Sequence, residues 1–187
     1  MALFEYFPNY IWNLSVSIAM ESGAQLGEII DMCQPIRDAA TPRAVAYEPR
    51  FASGAVWGAN HNWAEVQQKR LNRKGENPVP HYWAHVMWAF GASDMEDFHA
   101  KSADMNLNGH MDRIIVPFLV THGAKDRQIS LSDADNLYDQ LVNSPRREKV
   151  IFTDSEGGVE HVGADNMAYG RDAIADWFAE TLDGRTA

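Results

Sequence analysis

The run Ile114-Ile115-Val116-Pro117-Phe118-Leu119-Val120-Thr121-His122-Gly123-Ala124-Lys125-Asp126 decides the fold. From Ile114 to Gly123 it is almost continuously apolar and ends in glycine, the pattern of a strand buried on both faces of a parallel sheet. Downstream, Ser130 or Ser132 caps a helix that carries Ala134, Leu137, Tyr138 and Leu141 and stops near Asn143-Ser144-Pro145. Lys149-Val150-Ile151-Phe152-Thr153 reads as the next strand. The glycine-rich loop Ser155-Glu156-Gly157-Gly158-Val159-Glu160-His161 then leads into an amphipathic helix with Met167, Ile174, Trp177, Phe178 and Leu182. Strand, helix, strand, helix predicts a right-handed parallel βαβ unit and an α/β fold class with a small parallel sheet and flanking helices.

Upstream, the small residues of 51–58 suit another buried strand, preceded by a short helix that begins near Arg43. Helical patterns follow at 64–73, 82–90 and 95–103, the last with Ser93 as the expected N-cap and Glu96 closing a capping box. Trp57, Trp63, Trp83 and Trp88 fall in this region, either packed as core or lining an apolar pocket. Residues 1–40 show two helical patterns broken at Gly23, and Pro42 pushes the residue before it out of the helical region. The domain organisation expected is therefore an N-terminal helical segment, 1–41, and an α/β portion, 42–187.

In open α/β sheets ligands sit at the carboxyl ends of the strands. Two residues occupy that position: Asp126 follows the first strong strand and His161 follows the second. Adjacent parallel strands bring such exit loops together, and an aspartate that orients a histidine is half of a nucleophilic triad. Each also has a plainer explanation, Asp126 as a turn residue and His161 as the approach to the last helix. The nucleophile turn Gly-x-Ser-x-Gly does not occur. Ser53 lies in an expected strand and Ser22 at a helix end, so both read as small residues at tight positions, and Cys33 reads as buried. His81 and His85 have metal-ligand spacing without the accompanying glutamate or a third ligand. Asp133 and Asp135 fit the N-terminal dipole of a helix better than a calcium loop. No phosphate-cradling glycine motif is present, and neither cofactor nor metal is expected.

Composition narrows the partners. Sixteen Lys and Arg against 26 Asp and Glu give the 187 residues a formal net charge of −10, which repels nucleic acid and anionic membranes. A single cysteine and the lack of a long apolar run favour a cytoplasmic protein. Asn13-Leu14-Ser15 matches a glycosylation acceptor, a pattern short enough to arise by chance.

Three motifs carry a family likeness. They are Arg50-Phe51-Ala52-Ser53-Gly54-Ala55-Val56-Trp57-Gly58 together with Pro42-Arg43-Ala44, then Pro117 to Asp126, then Glu156-Gly157-Gly158-Val159-Glu160-His161. From about residue 43 onward the chain resembles the C-terminal part of esterase-like α/β-hydrolases related to dihydroxypseudooxynicotine hydrolase and the fungal polyketide-shortening hydrolases. Residues 4–40, opening Phe4-Glu5-Tyr6-Phe7-Pro8, resemble the start of the same family, where helices contribute to a cap. The likeness implies a partial α/β-hydrolase fold, Asp126 as triad acid and His161 as triad base. It also implies a large internal deletion between the two parts that removes the nucleophile elbow. Two function classes follow: a hydrolase of esters or of carbon–carbon bonds beside a carbonyl, acting on a small carbonyl-containing substrate, or a non-catalytic binding module on part of that fold. A strand as apolar as 114–121 expects cover on both faces and neighbours on both sides, so self-association or pairing with a second chain is expected, the alternative being that the N-terminal helices, with Phe4, Tyr6, Phe7 and Trp12, fold back over the exposed face. Light scattering during size exclusion tests this: a species heavier than 21.0 kDa whose share rises with concentration is the expected result.

Overall fold

The structure is a computed structural model and describes residues 40–72 and 81–183. Nearly all of the expected N-terminal segment, with Ser15, Ser22 and Cys33, lies outside the described residues. Three strands, β1 (Gly54–Trp57), β2 (Phe118–Gly123) and β3 (Arg147–Phe152), form a parallel sheet in the order β1-β2-β3. Val56 lies beside Val120, and Val120 beside Lys149. All six residues of β2 are buried.

Side-chain alternation along the strands divides the core between the two faces. On one face Val56, Phe118 and Val120 pack with α1 (Ala40–Tyr47) and α5 (Leu131–Gln140) through Val45, Ala134, Leu137 and Leu141. On the other, Ala55, Trp57, Leu119 and Phe152 pack with α6 (Met167–Asp183) through Ile174, Trp177 and Phe178. Between β1 and β2 the chain makes an excursion of three short helices, α2 (Trp63–Leu71), α3 (Tyr82–Phe90) and α4 (Met95–Ser102). Their aromatic residues form a separate cluster in which Phe90 stacks on Trp63 at 5.5 Å and Trp83 meets Phe98 edge-on. The excursion is closed at its base by an antiparallel bridge between Asn62 and Asn106. Of the four tryptophans, Trp57 and Trp63 are core and Trp83 is packed against it, whereas Trp88 is 77% exposed.

Several boundaries differ from the sequence expectation for identifiable reasons. Helix α1 runs through Pro42 because the proline occupies its third position, where a backbone N–H has no intrahelical acceptor. β2 starts at Phe118, four residues later than the apolar run: Ile114 closes a 3₁₀ turn at Met111–Arg113, and Ile115 is exposed. The N-cap of α4 is Asp94, not Ser93. Its carboxylate accepts from the Asp97 N–H, and Asp97 accepts in return from the Ser93 N–H.

Asp133 does more than complement a helix dipole. Its buried carboxylate accepts the backbone N–H groups of His61 and Asn62, both at 3.1 Å, tying α5 to the chain leaving β1. Asp135 instead pairs with Lys149 on β3.

Ser53 lies one residue before β1 and is fully buried. It donates to the Pro117 carbonyl and accepts from the Trp177 indole N–H, with the Thr181 hydroxyl 3.1 Å away. It therefore joins β1, the approach to β2, and α6 at the amino end of the sheet, away from the exit loops. Ser53→Ala leaves the indole N–H without its acceptor in the core. A loss of about 1 to 3 kcal/mol in urea denaturation is expected, with no change in any hydrolytic activity.

Candidate active site

β2 leaves the sheet at Gly123, and the site begins there. A Cβ on Gly123 would stand 2.3 Å from the Val159 carbonyl oxygen and 2.8 Å from that of Glu160, both backbone atoms that cannot swing aside. Only glycine lets the β2 exit and the loop before His161 approach this closely. The Lys125 N–H donates to the same Val159 carbonyl at 3.0 Å, and Arg127 pairs with Glu160 at 3.0 Å across the two loops.

The second loop is held from within. Gly157 and Gly158 adopt φ of +78° and +80°, a conformation that side chains disfavour. The Asp165 carboxylate then accepts three successive backbone N–H groups, from Gly158, Val159 and Glu160. Burial works to raise the Asp165 pKa, but these hydrogen bonds outweigh it and hold the carboxyl below its usual range.

His161 opens a 3₁₀ turn whose next residue, Val162, has φ 47° and ψ 35°. A β-branched residue in this left-handed region costs on the order of 1–2 kcal/mol. Packing compensates, because Val162 joins the core cluster that contains Trp57 and sits against Gly58, where a Cβ would be 2.9 Å from Val162 Cγ1 and 3.8 Å from His161 Cε1.

The outcome is a buried contact: His161 Nδ1 lies 2.8 Å from Asp126 Oδ2. The two side chains are 8% and 1% exposed, and 35 residues separate them in sequence. The other oxygen of Asp126 accepts the Gln128 and Ile129 N–H groups at 2.8 and 3.0 Å. Burial opposes ionisation of Asp126, yet the hydrogen bond with His161 and the two backbone N–H groups hold its pKa below the ordinary carboxylate value. An ionised Asp126 can only accept, so Nδ1 donates to it, and in the neutral ring the free lone pair is then on Nε2. Nε2 is buried and has no hydrogen-bond partner among the described residues. Such a nitrogen can take a proton from a hydroxyl, a thiol or a water.

A third group, His122, escaped the sequence reading because it sits inside the apolar run of β2. It is fully buried, with Nε2 3.2 Å from the Ile129 carbonyl and 3.8 Å from Asp126 Oδ2. Burial lowers its pKa and keeps it neutral, so the approach to Asp126 is not an ion pair.

The other sequence candidates are placed elsewhere or not at all. Ser53 is a structural residue, and Ser22 and Cys33 fall outside the described residues. His81 precedes α3 with φ 60°, while His85 lies on α3 beside Trp88. Among the described residues no group of three or more His, Cys, Asp or Glu is placed to hold a metal ion. No described helix is long and apolar enough to cross a membrane.

No protein-family model matches the sequence, and no curated protein does. Solved structures do match. The chain superposes on the 2,6-dihydroxy-pseudo-oxynicotine hydrolase with a TM-score of 0.60 at 18% identity, covering 83% of this chain and 45% of that one. It superposes on the Pyrococcus furiosus esterase Pf2001 with a TM-score of 0.52 at 12% identity, covering 78% of this chain and 50% of the esterase. The chain thus spans about half the length of either protein.

Asp126→Asn tests the electrostatics of the site. Because the folded pKa is depressed, the ionised form adds stability above the ordinary carboxylate range near pH 4, and that stability is lost as pH falls through the folded value. The variant is expected to be less stable by about 2 to 3 kcal/mol at neutral pH, with the gap narrowing between about pH 5 and about pH 3 in urea denaturation. A parallel small three-stranded sheet with flanking helices, matched over most of its length by two hydrolases, gives this chain the fold of a partial α/β-hydrolase.

Proposed function

We propose that this chain carries the acid and base of an esterase-like α/β-hydrolase, with Asp126 orienting His161 and His161 acting as general base. The substrate class is a small ester, or a compound with a carbon–carbon bond beside a carbonyl. One observation carries the proposal: His161 Nδ1 lies 2.8 Å from the buried Asp126 carboxylate while His161 Nε2 has no hydrogen-bond partner among the described residues.

No serine, threonine or cysteine among the described residues hydrogen-bonds His161 Nε2. We infer that the chain lacks the nucleophile turn and that a water takes its place. His161 would draw a proton from that water as the water oxygen attacks the carbonyl carbon, then return it to the leaving group. Removing a triad nucleophile typically costs about a millionfold in rate, and positioning with a remaining base leaves a small fraction of the activity. Slow turnover is the expectation.

The second reading is a non-catalytic binding module. It is favoured by the same observation that no described side chain bonds Nε2.

Hydrolysis of p-nitrophenyl acetate separates the two. Slow turnover that disappears in His161→Gln and falls at least about a hundredfold in Asp126→Asn supports the hydrolase. Turnover equal in the wild type and His161→Gln supports the binding module. Rapid turnover with labelling of a serine by a fluorophosphonate probe would show that a nucleophile is present after all.

A further inference from the structure

We propose that His122 is a positioning residue that keeps Asp126 aimed at His161 by clamping Ile129. The proposal rests on Asp126 and His161 being the working pair described above. His122 is the penultimate residue of β2 and is fully buried. Neutral at Nδ1, it carries its proton on Nε2 and donates to the Ile129 carbonyl at 3.2 Å. The N–H of the same residue donates to Asp126 Oδ1 at 3.0 Å. Ile129 is therefore held at both of its backbone polar groups, and its side chain is 2% exposed. The two bonds brace the turn 126–129 together with the Gln128 N–H, and the turn carries Asp126 Oδ2 toward His161.

Packing alone does not account for a histidine here. The neighbours Val120 and Leu119 on β2 fill the core without polar atoms, whereas His122 Nδ1 is buried with no hydrogen-bond partner. An orphaned buried acceptor is destabilising, so an aliphatic or aromatic residue would serve the core better. What an apolar residue cannot do is bind the Ile129 carbonyl. The charged and titratable groups around His122 are Asp126, His161 and Asp133, and burial outweighs their net attraction, leaving the ring neutral and able to make this one bond.

The test reads the His161 Nδ1 proton directly, in proton–nitrogen correlation spectra of the full chain, assigned by its disappearance in His161→Gln. The wild type should show a downfield proton protected from solvent by Asp126. In His122→Phe the proton should exchange about tenfold faster or vanish, the size expected from losing one buried hydrogen bond. In His122→Gln, whose Nε2 can reach the Ile129 carbonyl, protection should return. If the phenylalanine variant does not melt cooperatively, His122→Asn replaces it, its amide being too short to reach the carbonyl. Unchanged protection in the Phe or Asn variant overturns the proposal, as does a failure of folded His122→Gln to restore it or the absence of the proton in the wild type. A protected proton that depends on His122 in a chain that hydrolyses no ester supports the positioning role and removes only the catalytic reading.

Discussion

The contact between Gly123 and the Val159–Glu160 backbone governs the rest of the site. Where β2 ends, the chain must pass within van der Waals distance of a loop that follows β3, and a single methyl group at Gly123 would force the two apart. With that approach secured, the Lys125 N–H reaches Val159, Arg127 reaches Glu160, and the turns on either side deliver Asp126 and His161 to one another. The loops do not meet by flexible collapse. Each is braced by a carboxylate that collects backbone N–H groups, Asp126 in the first and Asp165 in the second.

This bracing resolves an electrostatic difficulty. A carboxylate as buried as Asp126 would ordinarily be protonated, and a neutral acid would not fix the tautomer of His161. Two backbone donors and one imidazole N–H supply enough stabilisation to keep it ionised. The neighbouring His122 is kept neutral by its own burial. Strain at Val162 belongs to the same close packing, since the residue that carries the left-handed backbone also joins the Trp57 cluster with its side chain.

The two edges of the sheet are treated differently. β3 presents Arg147, Glu148 and Lys149 along its exposed amino half, with Lys149 paired to Asp135 and Arg146 bridging Glu148 and Glu180. Charges of this kind discourage another strand from adding to that edge. β1 reads Gly54-Ala55-Val56-Trp57, wholly buried and without a charge, and among the described residues β2 is its only strand neighbour.

Much of the fold was legible because burial leaves a periodic trace. The apolar run of β2, the spacing of Ala134, Leu137 and Leu141 on α5, and the Ile174, Trp177 and Phe178 stripe of α6 announce their elements directly. The pairing of Asp126 with His161 was legible for a second reason: parallel strands order their exit loops, so residues just past consecutive strands become neighbours. Local chemistry misled where two rules competed, as when Ser93 matched a capping pattern that Asp94 satisfies better, or when Pro42 read as a stop although it sits in a first turn. The roles of Ser53, His122, Asp133 and Asp165 were decided only by the tertiary structure. Each works through hydrogen bonds between a side chain and groups made adjacent by folding, across as many as 128 residues in the case of Ser53 and Thr181. Hydrophobic periodicity records which face of an element is buried; it carries no record of which backbone carbonyl or N–H will stand opposite a particular polar atom once the elements have packed.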